Sequence, residues 1–230
     1  MTTTITSGLF ETPEASVEAA SRSMGVELAA GQAASLVRFA DLMQRWNAVY
    51  NLTAVRDPEA ILASHIIDCL AAVPPLRRQL GESDESAVLD VGSGGGLPGV
   101  VFAITNPEVP VTCIDAVGKK VAFITQAKAE LGVRNLAPVH QRVESFSGSF
   151  GVIASRAFSS LKDFVRLSSR LRSPAGVWMA MKGKEPLQEL AELPAGLVFH
   201  VEHLKAAGLP GQRCLVWLRP SMDPPTRGSS

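Results

Sequence analysis

Apolar residues recur at helical spacing in the first third of the chain and gather into short runs in the rest. Residues 13–24 and 31–48 read as helices, and in the second Leu36, Phe39, Ala40, Met43 and Trp46 share one face. Asp57-Pro58 pairs an N-cap residue with a proline at the first helical position, where a missing N–H is harmless. The pattern Ile61, Leu62, His65, Ile66, Leu70 continues that third helix, which is expected to stop before Pro74-Pro75. The polar stretch 81–86 then predicts a turn and a boundary.

From residue 87 the pattern changes. AVLDV (87–91), VTCID (111–115), NLAPVH (135–140), FGVIAS (150–155) and GVWMAM (176–181) read as strands. Helices are expected between them at 97–105, 118–131 and 160–172. Strands alternating with helices imply right-handed crossovers and a parallel sheet. The last two strands, 197–205 and 212–219, are separated only by 206–211, which holds Gly208, Pro210 and Gly211. They must therefore form a hairpin, which places an antiparallel strand at the end of the sheet. The expected organisation is a loose tail 1–12, an N-terminal helical extension 13–84, a catalytic domain 85–220 and a tail 221–230. The extension is expected to cover the mouth of the site.

Composition narrows the class. Hydrophobic residues make up 46% of 230, enough for one sizeable core, and 19% charged residues argue against wholesale disorder. No uninterrupted apolar run reaches the ~20 residues of a bilayer span, and the N-terminus lacks the pattern of a secretory signal. Cys69, Cys113 and Cys214 have no metal-ligand or CxxC spacing, which suits reduced thiols in a cytoplasmic protein and implies no metal. Net charge is +0, yet residues 1–110 carry 6 Lys+Arg against 13 Asp+Glu and the remainder is basic. A basic second half can face phosphates while the whole stays neutral.

The chemical signal is LDVGSGGGLPG, residues 89–99, at the end of the first strand and the start of a helix. Open parallel sheets bind ligands at that edge. Gly92, Gly94 and Gly96 let the backbone approach a ligand closely, and Pro98 suits a first helical turn. Residues 94–99 also satisfy GxGxxG, so a dinucleotide remains an alternative. Three features favour S-adenosylmethionine. Asp90 lies in the strand end, where it can order the loop or meet the cofactor's ammonium but would sit badly beside a pyrophosphate. Asp115 ends the second strand, where a carboxylate accepts from ribose hydroxyls. The terminal hairpin fits a methyltransferase rather than a plain dinucleotide domain. The fold class is thus α/β: a Rossmann-like class I S-adenosylmethionine-dependent methyltransferase with a seven-stranded, mostly parallel sheet and an N-terminal helical extension.

Seven further segments resemble one family. RWNAVYNLTAVRDPEAILASHIIDCL (45–70), the glycine loop, IDAVGKKVAFI (114–124), QRVESF (141–146), SRAFSSL (155–161), MKGK (181–184) and GQRCLVW (211–217) occur in order. The chain resembles the bacterial small-subunit rRNA guanine-N7 methyltransferases, the RsmG or GidB family. The resemblance implies methyl transfer to N7 of a guanine at position 527 of 16S rRNA, free or in the small subunit. It also implies cofactor contacts from Gly92, Leu97, Asp115, Ala116, Val117, Val143, Glu144 and Arg156. The family often carries an acid after the Phe that opens the SRAF strand; here Phe150 is followed by Gly151, so no role for an acid transfers.

Guanine N7 bears a lone pair and no proton, so no general base is required and none is assigned. Arg or Lys commonly grips guanine at O6 and N7 together; here N7 must stay free. Donors are expected on O6 and acceptors on N1 and N2. Asn51, Arg56 and Lys182 are the candidates for positioning the base, with Asn47 and Arg156 beside them. Lys119, Lys120, Lys128, Arg142, Lys184 and Arg213 are candidate phosphate contacts. Rival readings are a methyltransferase on another RNA or a small molecule, a non-catalytic RNA-binding module, and an NAD(P)-dependent oxidoreductase. The last would need a hydride-transfer pair, and the only tyrosine, Tyr50, lies outside the nucleotide fold.

Overall fold

A computed structural model of the chain describes residues 12–81, 86–156, 158–206 and 208–221. The expected tails lie largely outside them. Helix α1 (Pro13–Ser23) begins at Thr12, whose hydroxyl accepts from the N–H of Ala15 at 3.2 Å. Helix α2 (Gln32–Tyr50) ends at Asn51, which adopts a left-handed conformation (φ 50°).

The third expected helix is interrupted. It starts as α3 (Pro58–Ile61), capped by the Asp57 carboxylate on the N–H of Ala60 at 2.8 Å. It widens into a π-helical stretch, Leu62–Ile67, and closes as α4 (Asp68–Leu70). The segment stops at Leu70, before Pro74-Pro75, as expected; the two prolines then lie in the opening turn of a helix the pattern did not predict, α5 (Val73–Gly81). A first turn has no intrahelical partner for those N–H groups, so proline is tolerated there. By length and composition the run Pro58–Gly81 is apolar enough to cross a membrane, but 61% of its most apolar window is buried in the protein. It packs as a core segment.

The sheet contains β1 (Val88–Val91), β2 (Val111–Asp115), β3 (Leu136–His140), β4 (Phe150–Arg156), β5 (Arg172–Lys182), β6 (Leu197–His203) and β7 (Cys214–Pro220). Their order is β3-β2-β1-β4-β5-β7-β6. The first five are parallel, and β7 is antiparallel to both β5 and β6. The hairpin thus inserts β7 beside β5 and leaves β6 at the edge. The connecting helices are α6 (Gly99–Thr105), α7 (Gly118–Leu131), α8 (Leu161–Ser168) and α9 (Leu187–Ala191). Helix α8 is shorter than expected and β5 longer. Ser169–Leu171 tightens into a 3-10 turn, and the strand starts at Arg172.

Two apolar layers cover the sheet. One combines Leu89, Ile153, Phe164, Trp178 and Leu218. The other joins Val88, Val101, Phe123 and Ile124 of the sheet domain to Leu36, Phe39, Met43 and Ile66 of the N-terminal helices. The N-terminal helices and the sheet domain thus share one apolar layer, and the expected turn at 81–86 lies largely outside the described residues. Phe39 stacks on Phe123 at 5.9 Å, and Trp46 meets the same ring at 5.5 Å. Arg77 on α5 donates to Asn106 and to the Thr105 carbonyl at 2.8 and 2.7 Å, which ties the extension to the end of α6.

Gly99 opens α6 in close contact with β2. A Cβ there would stand 2.3 Å from the Cys113 Sγ and 2.8 Å from the Asp90 Oδ2. Gly99→Ala should therefore lower stability by about 1–3 kcal/mol, the scale of overpacking. Adding Cys113→Ala removes the closest obstacle, so the double variant should melt higher than Gly99→Ala alone. Additive losses in thermal melts would contradict this packing.

Candidate active site

Two carboxylates shape the glycine loop, one beneath it and one beside it. Asp90, the third residue of β1, has no exposed surface, and its Oδ2 accepts from the N–H of Gly99 at 2.9 Å. Asp115, at the end of β2 and 7% exposed, uses Oδ2 to accept from Gly94 N–H at 2.9 Å. Its Oδ1 accepts from Val117 N–H at 2.8 Å. The N–H groups of Gly92 and Ser93 both donate to the Ile114 carbonyl, at 2.9 and 3.2 Å. Gly92, Gly94 and Gly96 take φ of +67°, +57° and +78°, which L side chains rarely adopt. At Gly96 a Cβ would also strike Val100 Cγ2 at 2.6 Å. Leu97 behind them is buried. Pro98 does not enter the helix as expected; it occupies the N-cap position, and α6 starts one residue later.

Of the two roles expected for Asp90, ordering the loop is the one its burial permits. Its Oδ1 has no protein partner among the described residues. Burial pushes its carboxyl up to about 7, while the Gly99 N–H and the Arg156 guanidinium pull the other way.

The second strand's end continues the site. Ala116 and Val117 are exposed, and the N–H of Gln141 donates to the Asp115 carbonyl at 3.2 Å, bringing residues 141–145 alongside. There Val143 is buried and its carbonyl accepts from Arg170 at 3.1 Å; the Glu144 carbonyl accepts from the same guanidinium. The Glu144 carboxylate is half-exposed and 4.0 Å from Arg142. Phe158, after β4, lies 3.8 Å from where a Gly92 Cβ would be.

Arg156 faces the N-terminal helices rather than Asp115 or Glu144. It contacts the Ser64 carbonyl at 3.4 Å, Asp68 Oδ2 at 3.5 Å and His65 Nδ1 at 3.4 Å. A guanidinium only donates, so Nδ1 accepts and the His65 Nε2–H donates to Thr53 Oγ1, 2.7 Å away. Burial and the Arg156 charge both lower the His65 pKa, which favours that neutral ring. Asp68 also takes Arg213 Nε at 2.6 Å. Lys182, at the end of β5, is held by both Glu189 oxygens at 2.8 and 2.9 Å, and Glu189 also accepts from Leu161 N–H.

Asn51 and Arg56 are exposed and hydrogen-bonded to each other at 3.2 Å. Asn47, by contrast, is 3% exposed: its amide donates to the Val55 carbonyl and accepts from Thr53 N–H, both at 2.9 Å. It shapes the 51–56 loop and has no face left for a base. Sequence reasoning missed Asp68, Thr53 and Glu189. The three-residue spacing of His65 and Asp68 on one helix face was the only available hint; the other two carried none.

The loop fits S-adenosylmethionine on its own geometry. A carboxylate offers about four lone-pair positions, and the loop N–H groups occupy two at Asp115. The exposed Val117 gives apolar surface beside it. Among the described residues no group of three His, Cys, Asp or Glu stands close enough to hold a metal.

Asp90 makes a pH prediction. Its folded pKa is raised, so its contribution to stability is fully present below its unfolded value near 3.9 and is lost as pH rises through about 7. Asp90→Asn keeps an acceptor for Gly99 and cannot ionise. Thermal melts of the parent should fall between about pH 4 and 7 relative to Asp90→Asn; parallel curves would remove this assignment.

Comparison with known proteins agrees with this architecture. The profile of the GidB family, described as rRNA small subunit methyltransferase G, matches residues 32–216. A ribosomal RNA small subunit methyltransferase G of Acidovorax sp. (strain JS42) is 53% identical over 205 residues, covering 86% of this chain and 91% of that protein. One from Polaromonas sp. (strain JS666 / ATCC BAA-500) is 51% identical over 210 residues, covering 90% and 93%. The crystal structure of a ribosomal protein L11 methylase from Lactobacillus delbrueckii subsp. bulgaricus shares the fold, with TM-score 0.51 and 16% identity over 66% of this chain and 77% of that one. The chain belongs to the rRNA small subunit methyltransferase G family.

Proposed function

We propose that the protein transfers a methyl group from S-adenosylmethionine to N7 of a guanine in 16S rRNA, at position 527. The relatives' names supply the small-subunit RNA. The observation that carries the reading is a loop pinned by Asp90 and Asp115 where the strand order reverses between β1 and β4, beside a cleft lined by Arg156 and Lys182. Three unpaired, buried cysteines fit a reducing cytoplasm.

Gly92, Gly94, Gly96 and Leu97 form the cradle for the cofactor, and Asp115 accepts from its ribose hydroxyls. Ala116, Val117, Val143 and Glu144 border its adenine. S-adenosylmethionine, when bound, supplies a methyl group on a positively charged sulfur. Arg156, at the end of β4 and lining the cleft, contacts the cofactor or the base. Lys182, held by Glu189, presents a positioned ammonium at the same edge, while Asn51 and Arg56 on the helical extension contact the RNA at its mouth. No side chain accepts a proton, because N7 carries none and the positive charge passes to the purine. Rate enhancement comes from alignment and exclusion of water. A loop guanine is also cheaper to extrude than a paired one.

Labelled cofactor and small-subunit RNA from cells lacking the activity should yield one methylated guanine, mapped to position 527. Label on another RNA or on a small molecule would replace this reading. Asp115→Ala should weaken cofactor binding by roughly 1–3 kcal/mol, the scale of a hydrogen bond to a charged group. Unchanged affinity in a calorimetric titration would take Asp115 out of the site. Any ionisation of the single-turnover rate near neutral pH should trace to Asp90 and disappear in Asp90→Asn.

A further inference from the structure

We propose that Asp68 identifies the target base as guanine, its carboxylate accepting from N1–H and the 2-amino group within the cleft at the ends of β4, β5 and β7. The assignment rests on the function proposed above and names its selectivity residue.

The cleft, about 320 Å³, is lined by Asp68, Arg156, Met181, Lys182, Leu204 and Arg213, with Cys214 and Gly183 completing it. Asp68 is the single carboxylate among these described lining residues. The others offer cationic donors or apolar surface. Guanine is the one standard base that presents two adjacent donors, N1–H and 2-NH2, on its pairing edge. A carboxylate, which only accepts, matches that edge with its two oxygens side by side. Flipped bases are read on this edge. The cationic groups on the same lining suit O6 and the flanking phosphates.

Asp68 has capacity for this. One Arg213 Nε–H at 2.6 Å fixes Oδ1, and the Arg156 contact to Oδ2 is 3.5 Å, well beyond the usual 2.7–2.9 Å of a charge-assisted bond. About two of its four lone-pair positions remain, and its side chain is 12% exposed toward the cleft it lines. Every Arg156 contact lies at 3.4–3.5 Å, so this guanidinium is not locked to the carboxylate. The direction is also right. Arg156 ends β4, which pairs with β1 at Asp90↔Ala154, just below the glycine loop. N7 lies on the side of guanine away from N1 and the 2-amino group. A base gripped by Asp68 therefore presents its N7 on the side away from that carboxylate.

The test uses full-length protein and small-subunit RNA in which the target guanine is kept or replaced by inosine, which lacks only the 2-amino group. The parent should prefer guanine by at least about 10-fold in kcat/KM, the selectivity of a site built around a substrate N–H. Asp68→Asn should lose most of its rate on guanine, and its preference should collapse to about the intrinsic ratio of the two bases, with cofactor affinity unchanged. Intrinsic N7 reactivity is common to both proteins and cancels in the comparison. A role as a mere staple between helix and sheet would slow both RNAs equally. Parental preference retained in Asp68→Asn overturns the assignment alone. No methylation of the guanine RNA by the parent overturns the proposed function together with it. Should Asp68→Asn fail to fold, Asp68→Glu keeps the charge but shifts it by one methylene; it should lose several-fold of the preference, and an unchanged ratio overturns the assignment.

Discussion

Two carboxylates that hold backbone N–H groups set the geometry on which the site depends. Asp90 grips Gly99 from below and Asp115 grips Gly94 from beside. A hydrogen bond to a charged acceptor such as Asp115 contributes about 1.5–3 kcal/mol, and the loop glycines take their positive φ without strain. The loop is thereby fixed at a sheet edge where a ligand would otherwise have to order it on binding. The burial that lets Asp90 do this also raises its pKa toward neutrality, so the support is linked to pH.

From this edge a continuous polar path runs into the helical extension. Arg156 reaches His65 and Asp68; His65 reaches Thr53; Asn47 holds Thr53 and Val55; Arg213 returns to Asp68 from the last strand. The extension is part of the same body as the sheet domain, because Phe39, Met43 and Trp46 pack into a core that includes Phe123. Met43 even lies 3.3 Å from where a Gly95 Cβ would be, directly against the loop. The extension thus packs directly against the glycine loop.

The charge distribution fits catalysis by alignment. Lys182 and Arg213 are each tied to a carboxylate, so their positions are fixed. Lysine and arginine heads held this way act as preorganised donors rather than as flexible counterions. The attack proposed above, by an unprotonated ring nitrogen, asks for nothing more than placement and dryness.

The sequence by itself determined the order of elements and the location of the loop. Strand 111–115 and helix 118–131 coincide with β2 and α7, because strong local periodicity and buried apolar runs leave little choice. The hairpin was equally legible, since Gly208, Pro210 and Gly211 leave no room for a crossover. The stop before Pro74-Pro75 was legible, but the helix that restarts at Val73 was not, since it accepts in its first turn prolines that one turn later would break it. The sequence also could not see which distant side chains meet. Asp68 and Arg213 stand 145 positions apart, and no periodicity encodes that pairing. Asn47, a plausible base contact by type, proved to be an internal brace once its burial was known. Local patterns fix backbone conformation because neighbours along the chain dictate it. Partners across the fold are decided only when the core closes and brings their elements together.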